Sequence, residues 1–526
     1  MTRNIEWLEW SKEAFEKAKR ENKPILLDIY GVWCHWCHEQ DKSYEDEIVI
    51  DTVNEKFVPI KVDTDKRPDI NERYNQGGWP TTAFLTPDGM IIAGATYLPP
   101  AQLAMMLEQV SNYFQKGDIQ FEIHKQETQR GDVASSMEFL ADEMLLSFDT
   151  LYGGFGSQPK FPMPDLIEAA LLRFRQTNDK GMLRIATKTL DGMMGIFDKH
   201  EGGFFRYSVT REWDEPHYEK MLETNAQMAA AYFNAFLVTG DEKYKYTAER
   251  TADFIVSVLG GTDGFYGSQD ADKEEEYYGK PAEERKKMKQ PFIDRNVYVS
   301  LNALAISSLL QLGGNYKDIA IRTMENLWTK CFDTEKGMCH YYDGRQNVFG
   351  LLADNVNFLR CLLDAYEKTS NVKYVTLAVQ LMDLVTEKFY NDGFTDRAHG
   401  EDIGLLNAEN KNINENSVAA GCLTRLSFYT GDEKYRKTAE ETLSVFTNYG
   451  QYRLHAASYT LAVEKLIDPI EITARSLEFI TGLPHDFRLM VKFDNNLPCN
   501  LMACLGGTCM RFNGMDEAKK HLLVMR

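Results

Sequence analysis

Nowhere in the sequence does an apolar run approach the ~20 residues that a membrane-spanning helix needs. The opening segment, Met1 to Lys23, is charged and amphipathic and lacks the apolar centre of a secretory signal, so a cytoplasmic location is expected. Cationic surface is scarce as well: 59 Lys plus Arg stand against 79 Asp plus Glu, a formal net charge of −20. The one dense charged run, Glu283 to Lys289, mixes signs and suggests a solvated loop or helix face. Such a chain repels phosphate backbones and anionic membranes, so neither is an expected partner. Cysteine is sparse too. Nine in 526 residues make no disulfide framework, and most are expected as free thiols packed like small apolar groups. No motif requires a cofactor or a dedicated metal site.

One stretch nonetheless demands chemistry. Trp33-Cys34-His35-Trp36-Cys37-His38 follows the apolar run Ile25 to Tyr30 and precedes a segment with helical spacing. A strand ending in Cys-x-x-Cys at a helix start suits thiol–disulfide exchange, because the unpaired N–H groups there favour a thiolate. Cys34 is expected to attack and Cys37 to resolve. His35, between them, could stabilise the thiolate and make the disulfide more oxidising. Asp28, inside the preceding strand, would be buried near the resolving thiol and able to take its proton. Gly78-Trp79-Pro80-Thr81 opens the strand Thr81 to Leu85, and Pro80 there suggests a fixed turn with a cis bond. The order strand, helix, strand, helix, hairpin, helix, complete by Gln115, resembles the thioredoxin fold. The same cysteine string also satisfies two rivals, c-type haem attachment and a zinc site completed by a histidine.

Residues 116–135 are polar and suggest a linker. Beyond them the pattern turns helical. Thr239-Gly240-Asp241-Glu242-Lys243-Tyr244 recurs letter for letter at Thr430 to Tyr435, with weaker echoes near 178, 315 and 371. The spacing suits a helical-hairpin repeat. About twelve helices are expected, near 136–148, 164–177, 180–198, 222–239, 242–259, 296–312, 315–332, 350–368, 371–390, 415–430, 432–449 and 454–467. Gly-Phe or Gly-Met marks the longer loops between hairpins. Six hairpins predict an all-α (α/α)6 toroid over 136–467, with an open solenoid as the alternative. Residues 468–526 suggest a small α/β appendage, in which Cys504 and Cys509 form a less specific pair.

Several long motifs now occur in order: Cys34 to His38, Phe57 to Asp63, Arg67-Pro68-Asp69-Ile70, Gly77 to Pro80, Pro159-Lys160-Phe161-Pro162, Pro216 to Leu222, Asn225-Ala226-Gln227, Gln269 to Asp272 and Asn416-Ser417. Together they resemble the DUF255, YyaL-like thioredoxin-domain proteins, which include the spermatogenesis-associated thioredoxin-like proteins of animals. The resemblance implies a multidomain chain, an α/β thioredoxin-like domain followed by a six-hairpin toroid of the glycosidase and sugar-epimerase type. Asp28 and Val32-Trp33 stand where that family usually has a small polar residue and Ser-Thr, as in ordinary thioredoxins, which favours redox work.

In the toroid, His217, Glu219, Asp270, Asp272 and Asp354 are candidates for acid–base or sugar-binding roles, and the resemblance adds Asn225, from a matched motif, and Asn302, from Ser300-Leu301-Asn302, which departs from the family's Ser-Trp-Asn pattern. The expected function is thiol–disulfide exchange with a protein or small-molecule partner, joined to a barrel that binds a carbohydrate-like or polar ligand. Two alternatives stand beside it: a non-catalytic regulator with a redox- or zinc-sensing cysteine pair, and a sugar epimerase or glycoside-processing enzyme.

Overall fold

The computed structural model describes residues 4–117, 132–271 and 276–524, so Asp272 lies outside the described residues. The chain forms two compact units. The first comprises Met1–Glu127 with Asp270–Glu276 and His399–Asn410, and the second takes the remainder.

In the first unit the order is α1 (Lys12–Glu21), β1 (Ile25–Tyr30), α2 (His35–Ser43), α3 (Glu47–Lys56), β2 (Val58–Asp63), α4 (Pro68–Tyr74), β3 (Thr81–Leu85), β4 (Ile91–Ala95) and α5 (Pro100–Lys116). The sheet runs β2-β1-β3-β4, with β1 parallel to β2 and antiparallel to β3. Alternation along β1 sorts its side chains. Ile25, Leu27 and Ile29 pack with Phe15 and Ala18 of α1 and Ile70 and Tyr74 of α4, while Leu26 faces Val49 and Val53 of α3 and Leu103 and Leu107 of α5. Asp28 shares the face of Leu26 and is therefore carried into the interior. The segment His399–Asn410 belongs to this unit because Leu406 joins the first of these clusters and the Leu405 amide donates to Tyr74 Oη at 2.8 Å.

The second unit holds α6 (Ser136–Ser147), α7 (Pro164–Thr177), α8 (Lys180–Met193), α9 (Leu222–Thr239), α10 (Glu242–Ser257), the short α11 (Ala282–Arg285), α12 (Val299–Leu312), α13 (Gly314–Cys331), α14 (Leu352–Thr369), α15 (Val372–Phe389), α16 (Ile413–Thr430), α17 (Glu433–Ser444) and α18 (Ala457–Ile467). Helices α7, α9, α12, α14, α16 and α18 pack each on the next, and α18 packs back on α7. The ring closes. A solenoid would leave two ends unpaired, so the open alternative is excluded. Helix 296–312 starts only at Val299, because Val297 and Tyr298 pair with Tyr342 and Tyr341.

The repeated Thr-Gly-Asp turn is a joint between helices. Gly240 and Gly431 adopt φ of 74° and 77°, and Asp241 and Asp432 cap the following helices by accepting from the amides of Lys243 and Lys434. The opposite loops share a lock that the sequence reading missed. Asn225, Asn302, Asn355 and Asn416 each stand fourth in an inner helix and clamp a Gly-Phe or Gly-Met loop. Asn302 accepts from the Phe265 amide at 2.7 Å and donates to the carbonyls of Phe265 at 2.9 Å and Tyr298 at 2.8 Å. Asn225 does the same with Phe204 and Met221. Both are fully buried and spend their amides on backbone, so the expectation that they touch a ligand is corrected. Asn302→Ala leaves one amide and two carbonyls unpaired. It is expected to lower the unfolding midpoint in urea, by an amount equivalent to about 2 kcal/mol.

The chain ends in a four-stranded sheet, ordered Leu489–Phe493, Ile470–Ala474, Leu501–Leu505, Thr508–Phe512. Cys504 and Cys509 face each other across its last hairpin and are disulfide-bonded.

Candidate functional site

The Cys-x-x-Cys pair sits where β1 gives way to α2. Cys34 is the N-cap of α2, its Sγ accepts from the Cys37 amide at 3.2 Å, and the two sulfurs are joined as a disulfide with Cα atoms 5.2 Å apart. The pair is largely enclosed, with Cys34 5% and Cys37 3% exposed. Around it, Trp33 donates to Asp65 at 2.6 Å and meets Trp79 edge-on, while Trp36 stays about half exposed beside Tyr97. His35 lies edge-on to Trp36, its ring centroid 5.8 Å away. The Trp79–Pro80 bond is cis, and because Ile29 pairs with Thr81, the register sets Pro80 opposite the end of β1 from which the cysteine loop departs.

Asp28 is 1% exposed. Burial pushes its carboxyl up from 3.8 to about 6, against the opposing pull of Lys61, whose Nζ lies 3.4 Å away. Tyr44 Oη donates to it at 3.3 Å. A carboxyl raised on folding favours the protonated fold, so its penalty is absent below about pH 4 and complete above about pH 6. A shift of this size corresponds to roughly 3 kcal/mol. Asp28→Asn is accordingly expected to raise the melting temperature of the oxidised protein at pH 7.5 and to flatten its stability between pH 4 and 6. Melts that superimpose on wild type across that range would remove Asp28 as the titrating group.

Of the residues assigned to the barrel, Asp270 groups with the first unit, its Oδ2 3.5 Å from His38 Nε2. This corrects its placement in the barrel: it sits beside the cysteine helix. His217 and Glu219 do come together: Nδ1 lies 2.8 and 2.9 Å from the two carboxylate oxygens, Glu219 is buried, and the His217 ring stacks on Tyr207, which stacks on the half-exposed Phe161. Asp354 is buried and pairs with a histidine that the sequence reading did not name. His340 Nδ1 lies 3.0 and 3.1 Å from its oxygens, and Asp354 Oδ1 also accepts from the Ser300 amide. The signal for His340 was faint, since it lies inside the strand Gly337–Tyr342 and the Gly337-Met338 pair before it marks only a loop. Both pairs stand where an inner helix begins, at the long-loop end of the ring. Arg285, read as solvated, is buried and bound to Asp198 at 2.6 Å. Among the described residues no group of three or more His, Cys, Asp or Glu is gathered for a metal ion, and no helix is long and apolar enough to cross a membrane.

A helix-capped cysteine pair, a cis-proline and a buried aspartate on a β2-β1-β3-β4 sheet define a thioredoxin-like domain, here joined to a closed helical toroid. Residues 1–133 match the family described as "Protein of unknown function, DUF255" (Thioredox_DsbH). It is 35% identical over 302 residues to uncharacterized protein B0495.5 of Caenorhabditis elegans, covering 51% of this chain and 41% of that protein. It is 33% identical over 317 residues to human spermatogenesis-associated protein 20, covering 53% and 40%. The matched part thus spans about two fifths of the length of these relatives. Among solved structures, a sugar epimerase from a ruminal bacterium aligns at a TM-score of 0.50 and 11% identity, over 60% of this chain and 87% of the epimerase, a likeness of fold.

Proposed function

We propose that the chain performs thiol–disulfide exchange at Cys34 and Cys37 on a protein or small-molecule partner, and that its toroid holds a carbohydrate-like or polar ligand. The observation that carries the redox half is the sulfur of Cys34 at the N-cap of α2, bonded to Cys37, with Asp28 buried in the strand before it. In the reducing direction the Cys34 thiolate attacks one sulfur of a substrate disulfide and expels the other as a thiolate. Cys37 gives its proton to Asp28 and attacks Cys34 Sγ, which releases the second substrate thiol and restores the Cys34–Cys37 disulfide. Two electrons pass from the dithiol to the substrate, and a thiol donor must return them. Five free cysteines, all buried, fit a reducing compartment. The test is insulin reduction with dithiothreitol as donor. Turnover above the uncatalysed rate supports the reading, and its absence together with an unreactive disulfide favours a binding or sensing role.

A second reading, sugar epimerisation or glycoside processing at the rim, is favoured by the two histidine–carboxylate pairs, His217 with Glu219 and His340 with Asp354. Each imidazole could carry a proton while its carboxylate holds the ring in place. Incubation with reducing disaccharides in D2O checks it. Deuterium at C2, lost in Glu219→Gln, is the expected result for an epimerase, and unlabelled sugar with the folded protein rules that chemistry out.

A further inference from the structure

The ring encloses a cavity of about 580 Å³, walled by inner helices and by residues 480–491 of the C-terminal segment. That is the size of a small-molecule site, and it is lined with more charge than a packed helical core carries. Its carboxylates already have partners. Glu168 accepts from Asn234 at 2.7 Å and meets His485 at 2.6 Å, Asp165 accepts from Ser458, and Asp486 is bound by Arg488. Asp364 and Glu367 share Arg425, at 2.7 and 3.2 Å.

The cations are not matched in the same way. Arg360 and Lys465 line the cavity, yet neither makes a hydrogen bond or ion pair among the described residues. Arg360 Nε is buried without a partner, and Lys465 Nζ only overhangs the Phe487 ring, 4.6 Å from its centroid. Five carboxylates and four lysines and arginines line the cavity, so its charge is balanced overall, but Arg360 and Lys465 stand beside Arg425 without a direct carboxylate partner of their own. Burial and the neighbouring Arg425 push the Lys465 amine down to about 8, the response of one cation enclosed with another. A partly buried cation that lines a cavity without an ion-pair partner leaves its donors free for an anion, which would pair with it there.

We propose that this cavity binds a small hydroxylated organic anion, its carboxylate or phosphate held by Arg360, Arg425 and Lys465 and its hydroxyls by Asn234, Gln311 and Ser307. The amide and hydroxyl groups, on α9 and α12, supply paired donors and acceptors in the same lining, where Gln311 donates to Asn234. The proposal rests on the reading of the toroid as a ligand-binding unit but uses none of the rim residues.

Calorimetric titration of the full chain with glucuronate, glucose 6-phosphate, inorganic phosphate and glucose tests it. At least one sugar anion is expected to bind at least ~10-fold more tightly than glucose and than inorganic phosphate, and Arg360→Gln and Lys465→Gln should each weaken it ~10-fold. Which of the two binds identifies the head group. Glucose binding that Glu219→Gln abolishes and Arg360→Gln spares overturns the anion site while leaving a ligand-binding toroid. Inorganic phosphate binding as tightly as the sugar phosphate overturns it too, and no binding by any of the four overturns both readings. A measurement on the unaltered protein guards against variants that fail to fold. Acetylation of Lys465, followed by peptide mass spectrometry, should slow in the presence of the binding anion and not of glucose, and equal labelling in both overturns the proposal.

Discussion

Cys34→Ser is expected to bring insulin reduction to the uncatalysed rate, a loss of at least ~10³-fold, whereas Cys37→Ser should retain its substrate as a mixed disulfide. The asymmetry follows from where the two sulfurs stand. Cys34 caps α2, so its sulfur receives the Cys37 amide and the positive end of the helix, the arrangement that stabilises a thiolate before any substrate arrives. Cys37 lies inside the first turn, and in the proposed exchange it becomes reactive when Asp28 takes its proton. Without Cys37 the first exchange can proceed and the second cannot. The trapped species, isolated under non-reducing conditions and released by dithiothreitol, would name the partner. Retention by Cys34→Ser and not by Cys37→Ser would reverse the assigned roles, and retention by neither would remove thiol exchange from this domain.

How much of this could be read in advance depended on whether a feature was local in the chain. The strand Ile25–Tyr30, the cysteine turn and the Gly-Trp-Pro-Thr opening of β3 are contiguous patterns, and the sheet assembled as they implied. Helices 164–177 and 222–239 came out at their expected bounds, because Pro164 and Gly240 mark start and stop chemically. Features made by residues far apart in sequence were not legible. The fit of Leu406 beside Trp10, or of Asp270 beside His38, depends on chain returning from hundreds of residues away. Asn302 carried a usable signal, since it, Asn355 and Asn416 all follow a Gly-Phe or Gly-Met loop at the same place in an inner helix. It was read as a ligand group because a buried amide bound to backbone looks, in sequence, like any other asparagine. Arg360 and Lys465 were invisible for the complementary reason: cations on a helix are usually on its solvent face, and only ring closure turns these inward.

Lys220→Ala should produce the largest loss of stability of any substitution considered, a fall in the urea midpoint of the second unit equivalent to roughly 3–5 kcal/mol. Lys220 is fully buried, with Nζ 2.5 Å from Asp198 and 3.1 Å from the Gly202 carbonyl, and it lies over the rings of Phe205, Phe254 and Tyr278. Truncation opens a cavity among those rings and leaves the Gly202 carbonyl unpaired. Asp198 keeps the His200 amide and Arg285, so one buried cation must do what two did. Burial alone would raise the Asp198 carboxyl, but Lys220 and Arg285 together hold it below the ordinary value. A carboxyl lowered on folding stabilises the fold above its unfolded value of 3.8, and that contribution fades as pH falls through the lower folded value. The gap between wild type and Lys220→Ala is therefore expected to be full at neutral pH and to narrow in strong acid, as the carboxylate that Lys220 serves is protonated. Lys220→Met, which restores most of the volume without the charge, separates the two contributions. If it recovers the midpoint, packing against the rings dominates, and if it stays low with the same acid dependence lost, the ion pair does. The same lysine precedes α9 and follows Glu219 directly, so its loss is also expected to loosen the His217–Glu219 pair. A rim that kept its geometry after Lys220→Ala would show that the pair is held by its own loop, independently of the buried charges beneath it.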